Sequence, residues 1–359
     1  MTELTEIDTG LESSKYKIAK NLRMHRRQKM FKNKLHLISS TLLVVLALMS
    51  GLLTGCGPKA KPAEVSLQLK WLHQVQFAGA YVAEQEGYYA DENLTVTLKP
   101  VDFEQQLAVD KVLSGDSEFG VAAAEEVVVA RSEGKPVRAI AVIFRGDPNI
   151  FLATPDSGIQ SPQDLMGNKI ALAPGSSTII YQAMMDQLQI DRSQIEEIPV
   201  NVWDLWECWE IAPVCSNYAT NGPVILDQAG EEFDLIWPSD YGISWYGDVL
   251  ITTDKMIAEQ PDVVERFVRA TLKGWRQAIS NPDLATEATL AYDAELDKDY
   301  QMAAMQASIP LIDTGEGKVG LMRPEAWQQI NDILADQGII DAAVDIETVY
   351  TNEFVEQAQ

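Results

Sequence analysis

The sequence predicts an α/β fold in which strands and helices alternate along most of the chain. Three observations carry that prediction. Leu67, Leu69 and Trp71 alternate with Gln68 and Lys70, which is the period of a strand. Directly afterwards Phe77, Ala80, Tyr81, Val82 and Tyr88 fall on one face of a helix, with Gly87 near its end. Residues 137–144 are apolar apart from Arg138, the pattern of a strand covered on both faces of a parallel sheet. At 359 residues the chain is long enough for two lobes or for one large α/β domain.

Before the first strand, residues 1–36 are polar, with an acidic start and then a basic run from Lys15 to Lys34. The apolar run 37–53 follows and ends in Leu53-Thr54-Gly55-Cys56. A positive flank, an apolar core and small residues before a cysteine read as an export signal over 1–55. The Leu-Thr-Gly-Cys ending resembles a bacterial lipobox. That resemblance implies that Cys56 is diacylated after cleavage and holds the protein on the extracytoplasmic face of the cell membrane. An uncleaved anchor is the alternative, because the run nearly reaches the ~20 residues that span a bilayer. Pro58, Lys59, Lys61 and Pro62 mark 56–64 as a short tether.

The formal net charge is −25, with nine Lys or Arg and four Asp or Glu in residues 1–55. The rest of the chain therefore carries 19 basic and 49 acidic residues, net −30. A surface that acidic argues against a nucleic-acid partner or a basic face for anionic lipid.

Taken in order, residues 95–100 alternate as a second strand, and 103–113 read as a helix closed by Ser114-Gly115. A short strand at 118–121, a helix at 122–132 and the apolar strand 137–144 come next, then a strand at 150–153. Ser161 with Pro162 opens a short helix, and a strand is expected at 169–173. The turn 174–178 leads into a helix at 179–188, and its Ser176, Ser177 and Thr178 either cap that helix or offer donors to a ligand. After a strand at 194–200, Trp203, Trp206 and Trp209 supply stackable area to a ligand, a core or a lobe interface. Cys208 and Cys215 can pair in an exported protein, and two buried free thiols are the alternative. Strands at 233–237 and 248–252 flank a crossover rich in aromatics, and a helix at 224–229 precedes them. Helices follow at 262–281, 282–292, 298–307 and 323–335; the first is amphipathic, and the last ones read as packing without a site.

Two stretches resemble the type II solute-binding proteins that deliver thiamine-precursor pyrimidines and related small molecules to ABC importers. One is Trp71 after the first strand, Phe77-Ala78-Gly79, then Tyr81-Val82-Ala83 leading to Gly87-Tyr88-Tyr89. The other, residues 238–248, matches the family's Pro-x-Asp-Tyr-Gly-x-x-x-Tyr-Gly-Asp pattern closely. Residues 217–223 resemble the family's Thr-Asn-Glu-Pro, keeping Asn221 and replacing the Glu with Gly222, while 203–218 departs from the pattern.

The resemblance implies a two-lobe periplasmic-binding-protein-like α/β fold with a cleft between parallel-rich sheets. Lobe 1 would hold 65–150 and 249–359, and lobe 2 would hold 151–248. It also implies a monomer that hands a small ring-bearing solute, a thiamine-precursor pyrimidine or riboflavin, to a permease and its ATPase, without cofactor or metal. The contacts it implies are Trp71, His73, Gln76 and Phe77 from the first stretch and Glu125, Ser176, Ser177 and Thr178 from helix starts. Trp203, Asn221, Tyr241, Trp245 and Asp248 would complete the site.

His73 is the one histidine beyond residue 36, which excludes a His-rich metal site and a triad built on another histidine. No P-loop or dinucleotide glycine pattern is present. The thiamine-pyrimidine synthases of the same superfamily carry pyridoxal phosphate on a lysine and consume their own histidine, and Lys70 and His73 invite that comparison. The export signal and the lack of a cysteine-rich segment speak against it. An exported sensor domain is the other alternative.

Overall fold

The computed structural model describes residues 61–102, 107–202 and 204–358. The export signal, Cys56, residues 103–106 and Trp203 lie outside them. Among the described residues, ten strands make two mixed five-stranded sheets. β1 (Ala63–Gln68), β2 (Leu94–Lys99), β3 (Phe119–Ala123) and β4 (Val137–Val142) belong to the first sheet. β5 (Asn149–Ala153), β6 (Lys169–Leu172), β7 (Glu196–Pro199), β8 (Val214–Tyr218) and β9 (Asp234–Ile236) form the second, in the order β7-β6-β8-β5-β9. β10 (Asp248–Thr253) then returns to the first, giving β2-β1-β3-β10-β4.

β1 pairs parallel with β2 and β3, and β6 with β7 and β8. β10 runs antiparallel to β3 and β4, and β5 antiparallel to β8 and β9. The sheets are thus more mixed than the sequence pattern predicts. β5 and β10 are the first strands after each crossing between lobes, so each enters its sheet from the opposite end.

β1 stops at Gln68, earlier than the alternation suggests. Val65 to Leu69 are all buried, so both faces of the strand are covered and alternation no longer marks its end. The Gln68 amide donates to the carbonyls of Lys99 at 3.1 Å and Pro100 at 2.9 Å, and the chain turns away. Trp71 therefore belongs to the turn after the strand. That turn leads through Val75–Phe77 into α1 (Ala78–Gln85). The helix expected at 103–113 is described as Ala108–Ser114.

α2 (Ala124–Ser132) follows β3, and α3 (Ser176–Gln187) follows β6. Gly175 precedes α3 at φ +83°, where a side chain would be strained. α4 (Leu205–Ile211) is capped by the Asp204 carboxylate, which accepts from the Glu207 amide at 2.9 Å. A Cys208–Cys215 disulfide ties it to β8. α5 (Pro261–Ser280) buries Val264, Phe267, Leu272 and Trp275, each worth about 1.5–3 kcal/mol when fully covered. It lies against α1 so closely that a Cβ on Gly274 would overlap the Gly79 carbonyl. α6 (Lys298–Ile312) runs past its expected end at 307, through Pro310. α7 (Pro324–Asp336) completes the packing on the first lobe.

Candidate functional site

A cavity of about 610 Å³ opens between the two sheets, within the size range of small-molecule sites. The residues that follow β1, β3, β6 and β8 line it, so it sits at the carboxyl ends of strands from both lobes. From the first lobe come Lys70, Trp71 and Gln76, then Glu125 and Glu126 at the start of α2. From the second come Ser176 and Ser177 at the start of α3, Ser216, Asn217 and Tyr218 on β8, then Thr220 and Asn221. Tyr300, Ala304 and Ser308 of α6 close a further side.

Hydrogen bonds span the cavity from wall to wall. The Ser176 hydroxyl donates to Glu125 Oε1, joining the start of α3 to the start of α2. Trp245 Nε1 donates to the other Glu125 oxygen at 3.1 Å. The Tyr300 hydroxyl donates to Asn221 Oδ1 at 2.9 Å, a second link across the cleft, from α6 to the second lobe. Ser177 Oγ donates to Asn149 Oδ1 at 2.6 Å, which fixes the start of α3 on β5.

Beneath this layer lies a charged knot. Lys70 Nζ is 2.6 Å from Asp248 Oδ1, and Gln76 Nε2 donates to Asp248 Oδ2 at 2.7 Å. Burial opposes the Lys70 charge, but Asp248 and the nearby Tyr218 and Glu126 outweigh it and hold the ammonium well above its usual pKa. Burial, then the neighbouring Glu125, pushes the Glu126 carboxyl up to about 7. Burial likewise raises Asp147, in the first crossing, to about 7 despite its hydrogen bonds from Asn149.

Trp71, Gln76, Glu125, Ser176, Ser177 and Asn221 line the cavity, as the sequence predicts for ligand contacts. Trp203 lies outside the described residues, and the structure places the other expected contacts elsewhere. Asp248 is 1% exposed and engaged by Lys70 and Gln76, because the start of β10 is paired inside the first sheet. Trp245, also buried, holds Glu125 from behind rather than facing the space. Phe77 points into the core. Thr178 donates to the Ala173 carbonyl at 2.7 Å and so closes the first turn of α3. His73 Nδ1 is 3.0 Å from the Tyr81 hydroxyl and its ring lies 5.2 Å from that of Tyr292, an aromatic packing site. Tyr241 packs, half-buried, beside an apolar cluster drawn from both sheets, and its carbonyl accepts from Gln187 at 2.7 Å. Arg145, between β4 and β5, sends its guanidinium to Thr314 and to the carbonyls of Gly317, Lys318 and Leu321, away from the cavity.

Lys70, Asn149, Tyr218 and Tyr300 are cavity residues that the sequence reading leaves out. A signal for Lys70 exists in its position one residue before Trp71. Tyr300 had none, since it reaches the cavity only because α6 folds back over the cleft.

A protein-family model described as NMT1/THI5 like matches residues 74–285. A riboflavin-binding protein of Chloroflexus aurantiacus is 28% identical over 314 residues, covering 83% of this chain and 88% of its own. A formylaminopyrimidine-binding protein of Halalkalibacterium halodurans is 25% identical over 307 residues, covering 82% and 91%. Among solved structures, the periplasmic aliphatic sulphonate binding protein of Escherichia coli superposes with a TM-score of 0.66. It covers 81% of this chain and 93% of its own at 12% identity, a likeness of fold. The fold is that of the type II periplasmic binding proteins.

Proposed function

The chain belongs to the NMT1/THI5 like family, and from that premise we propose that it is the substrate-binding component of an ABC importer. The observation that carries this reading is the cavity between the two sheets, lined by the rings of Trp71, Tyr218 and Tyr300 with amide and hydroxyl groups around them. Such a lining suits a flat ring recognised by stacking and by hydrogen bonds at its edge. The solute is a small ring-bearing molecule, a thiamine-precursor pyrimidine or a riboflavin-like compound. Relatives named for both kinds of ligand support that choice.

We assign β1 to β4, β10 and the helices after it to one lobe and 149–236, with β5 to β9, to the other. This shifts the expected boundaries by one or two residues at each crossing and leaves the crossings as hinges. Binding is then closure of the lobes around the ligand, which holds them together. A ligand of about a dozen heavy atoms at ~0.6 kcal/mol each binds with a Kd on the order of micromolar. Cys56 carries the lipid anchor on the extracytoplasmic face, and the closed protein docks on a permease driven by its ATPase.

A synthase of the pyridoxal-phosphate kind would need a lysine amine able to attack an aldehyde. Lys70 is held as an ammonium against Asp248, which does not fit that role. The test is mass spectrometry of small molecules released from protein purified from its native host. A flavin or pyrimidine at near-stoichiometric level is expected. Release of a non-aromatic solute at that level would overturn the ligand class.

A further inference from the structure

We propose that Glu125 and Glu126 make the cavity a filter that accepts the uncharged form of its ring ligand and rejects the same ring bearing a phosphate or sulfonate. The inference rests on the reading of the cavity as a ligand site and adds the property that selects among ligands.

The first ground is the state of the basic residues. Among the described residues lining the cavity, Lys70 and Lys135 are the only cationic side chains. Lys70 is paired with Asp248 at 2.6 Å, and Lys135 with Glu133 at 2.7 Å. Each cation already has its own carboxylate, so neither offers an unmatched charge to an anionic ligand.

The second ground is Glu125. It is 5% exposed, and its two oxygens accept from a serine hydroxyl and an indole N–H, both neutral. Among the described residues, no cation compensates it within hydrogen-bond reach. Its partner Ser176 is the first residue of α3, a twelve-residue helix. A helix start with small hydroxylated residues is where an anionic ligand group would gain most. Here the protein's own carboxylate takes the Ser176 hydroxyl, so an incoming phosphate would compete with Glu125 and be repelled by it.

Above about pH 7, where its carboxyl gives up its proton, Glu126 adds to the same wall. It lines the cavity beside Glu125, and its carboxylate accepts from the Ala123 amide at 3.1 Å. The groups facing it are Glu125, Lys70 and Asp248, of which Lys70 is already matched. Like charges confined between low-dielectric walls repel far more strongly than in water. A negative group on the ligand therefore lowers affinity by roughly tenfold to a hundredfold.

The experiment uses the mature chain and two matched probes, riboflavin and riboflavin 5′-phosphate, titrated calorimetrically at about pH 8, where Glu126 is ionised. A hydroxymethylpyrimidine and its phosphate serve as a second pair. The wild type is expected to bind the uncharged member of one pair and to bind its phosphate at least about tenfold more weakly. Glu125→Gln and Glu126→Gln, both isosteric, are each expected to narrow that ratio by about threefold or more, with unfolding temperature measured beside affinity. Equal affinity for both members in the wild type overturns the filter and leaves ring capture standing. An unchanged ratio in both folded variants overturns the assignment to these two residues. No binding of any probe removes the ligand-site reading and the filter with it.

Discussion

Tyr300 shows how much a single hydroxyl can carry in this protein. Its hydrogen bond to Asn221 joins α6 to the second lobe and can form only when the lobes are close. A bond made in one conformation biases the equilibrium by its own free energy, here about 0.5–1.5 kcal/mol. Tyr300→Phe keeps the ring and removes the link, so ligand affinity should fall by about two- to tenfold with little loss of stability. Unaltered affinity would show that the link does not contribute to closure. Glu126 gives a second residue-scale test. Its carboxyl is raised from 4.5 to about 7, chiefly by burial. A group that holds its proton more tightly when folded stabilises the fold below its unfolded pKa, and that advantage is lost as pH rises to about 7. The unfolding temperature should therefore drop between about pH 5 and pH 8 in the wild type, and less steeply in Glu126→Gln. Parallel slopes would contradict the burial argument. Trp71, Ser176 and Ser177 stand out in the sequence because they lie at strand-to-helix junctions, and Asn221 because it keeps the family's amide. Tyr300 was not, because only the path of α6 brings it there.

At the scale of elements, period and punctuation explain most of what could be read. The buried face of α5 follows from the spacing of Val263, Val264, Phe267, Ala270, Thr271, Gly274 and Trp275, all of them covered. What period cannot express is the distance between helices. Gly79 and Gly274 let α1 and α5 approach until a Cβ at either would meet the partner helix. Gly274→Ala should cost about 1–3 kcal/mol through that overlap, read as a lowered denaturant midpoint. A neutral effect would mean that the helices separate freely. The end of β1 was misread because both its faces are buried, which erases alternation as a marker. Strand direction was misread for a related reason: nothing in β5 or β10 alone records that the chain has just crossed to the other lobe. The α4 region was legible only in part. The two cysteines suggested a bond, and the disulfide joins α4 to β8 where the sequence departs from its relatives.

At the scale of the molecule, the order of strands in each sheet follows from two crossings, and the cleft follows from both sheets ending on it. The anchor proposed at Cys56 is tested apart from the cleft. Cys56→Ser should leave unprocessed precursor and abolish acyl labelling, and unchanged labelling would end the lipoprotein reading. The central claim, that the cleft captures a flat ring on Trp71, is tested most directly by calorimetric titration of wild-type, Trp71→Phe and Trp71→Ala protein with riboflavin and formylaminopyrimidine. One of the two should bind the wild type, and Trp71→Ala should bind it about tenfold to several hundredfold more weakly, since both buried area and ring stacking are lost. Trp71→Phe should recover a share of the loss, because an aromatic face remains. A folded Trp71→Ala that binds with wild-type affinity would contradict the claim.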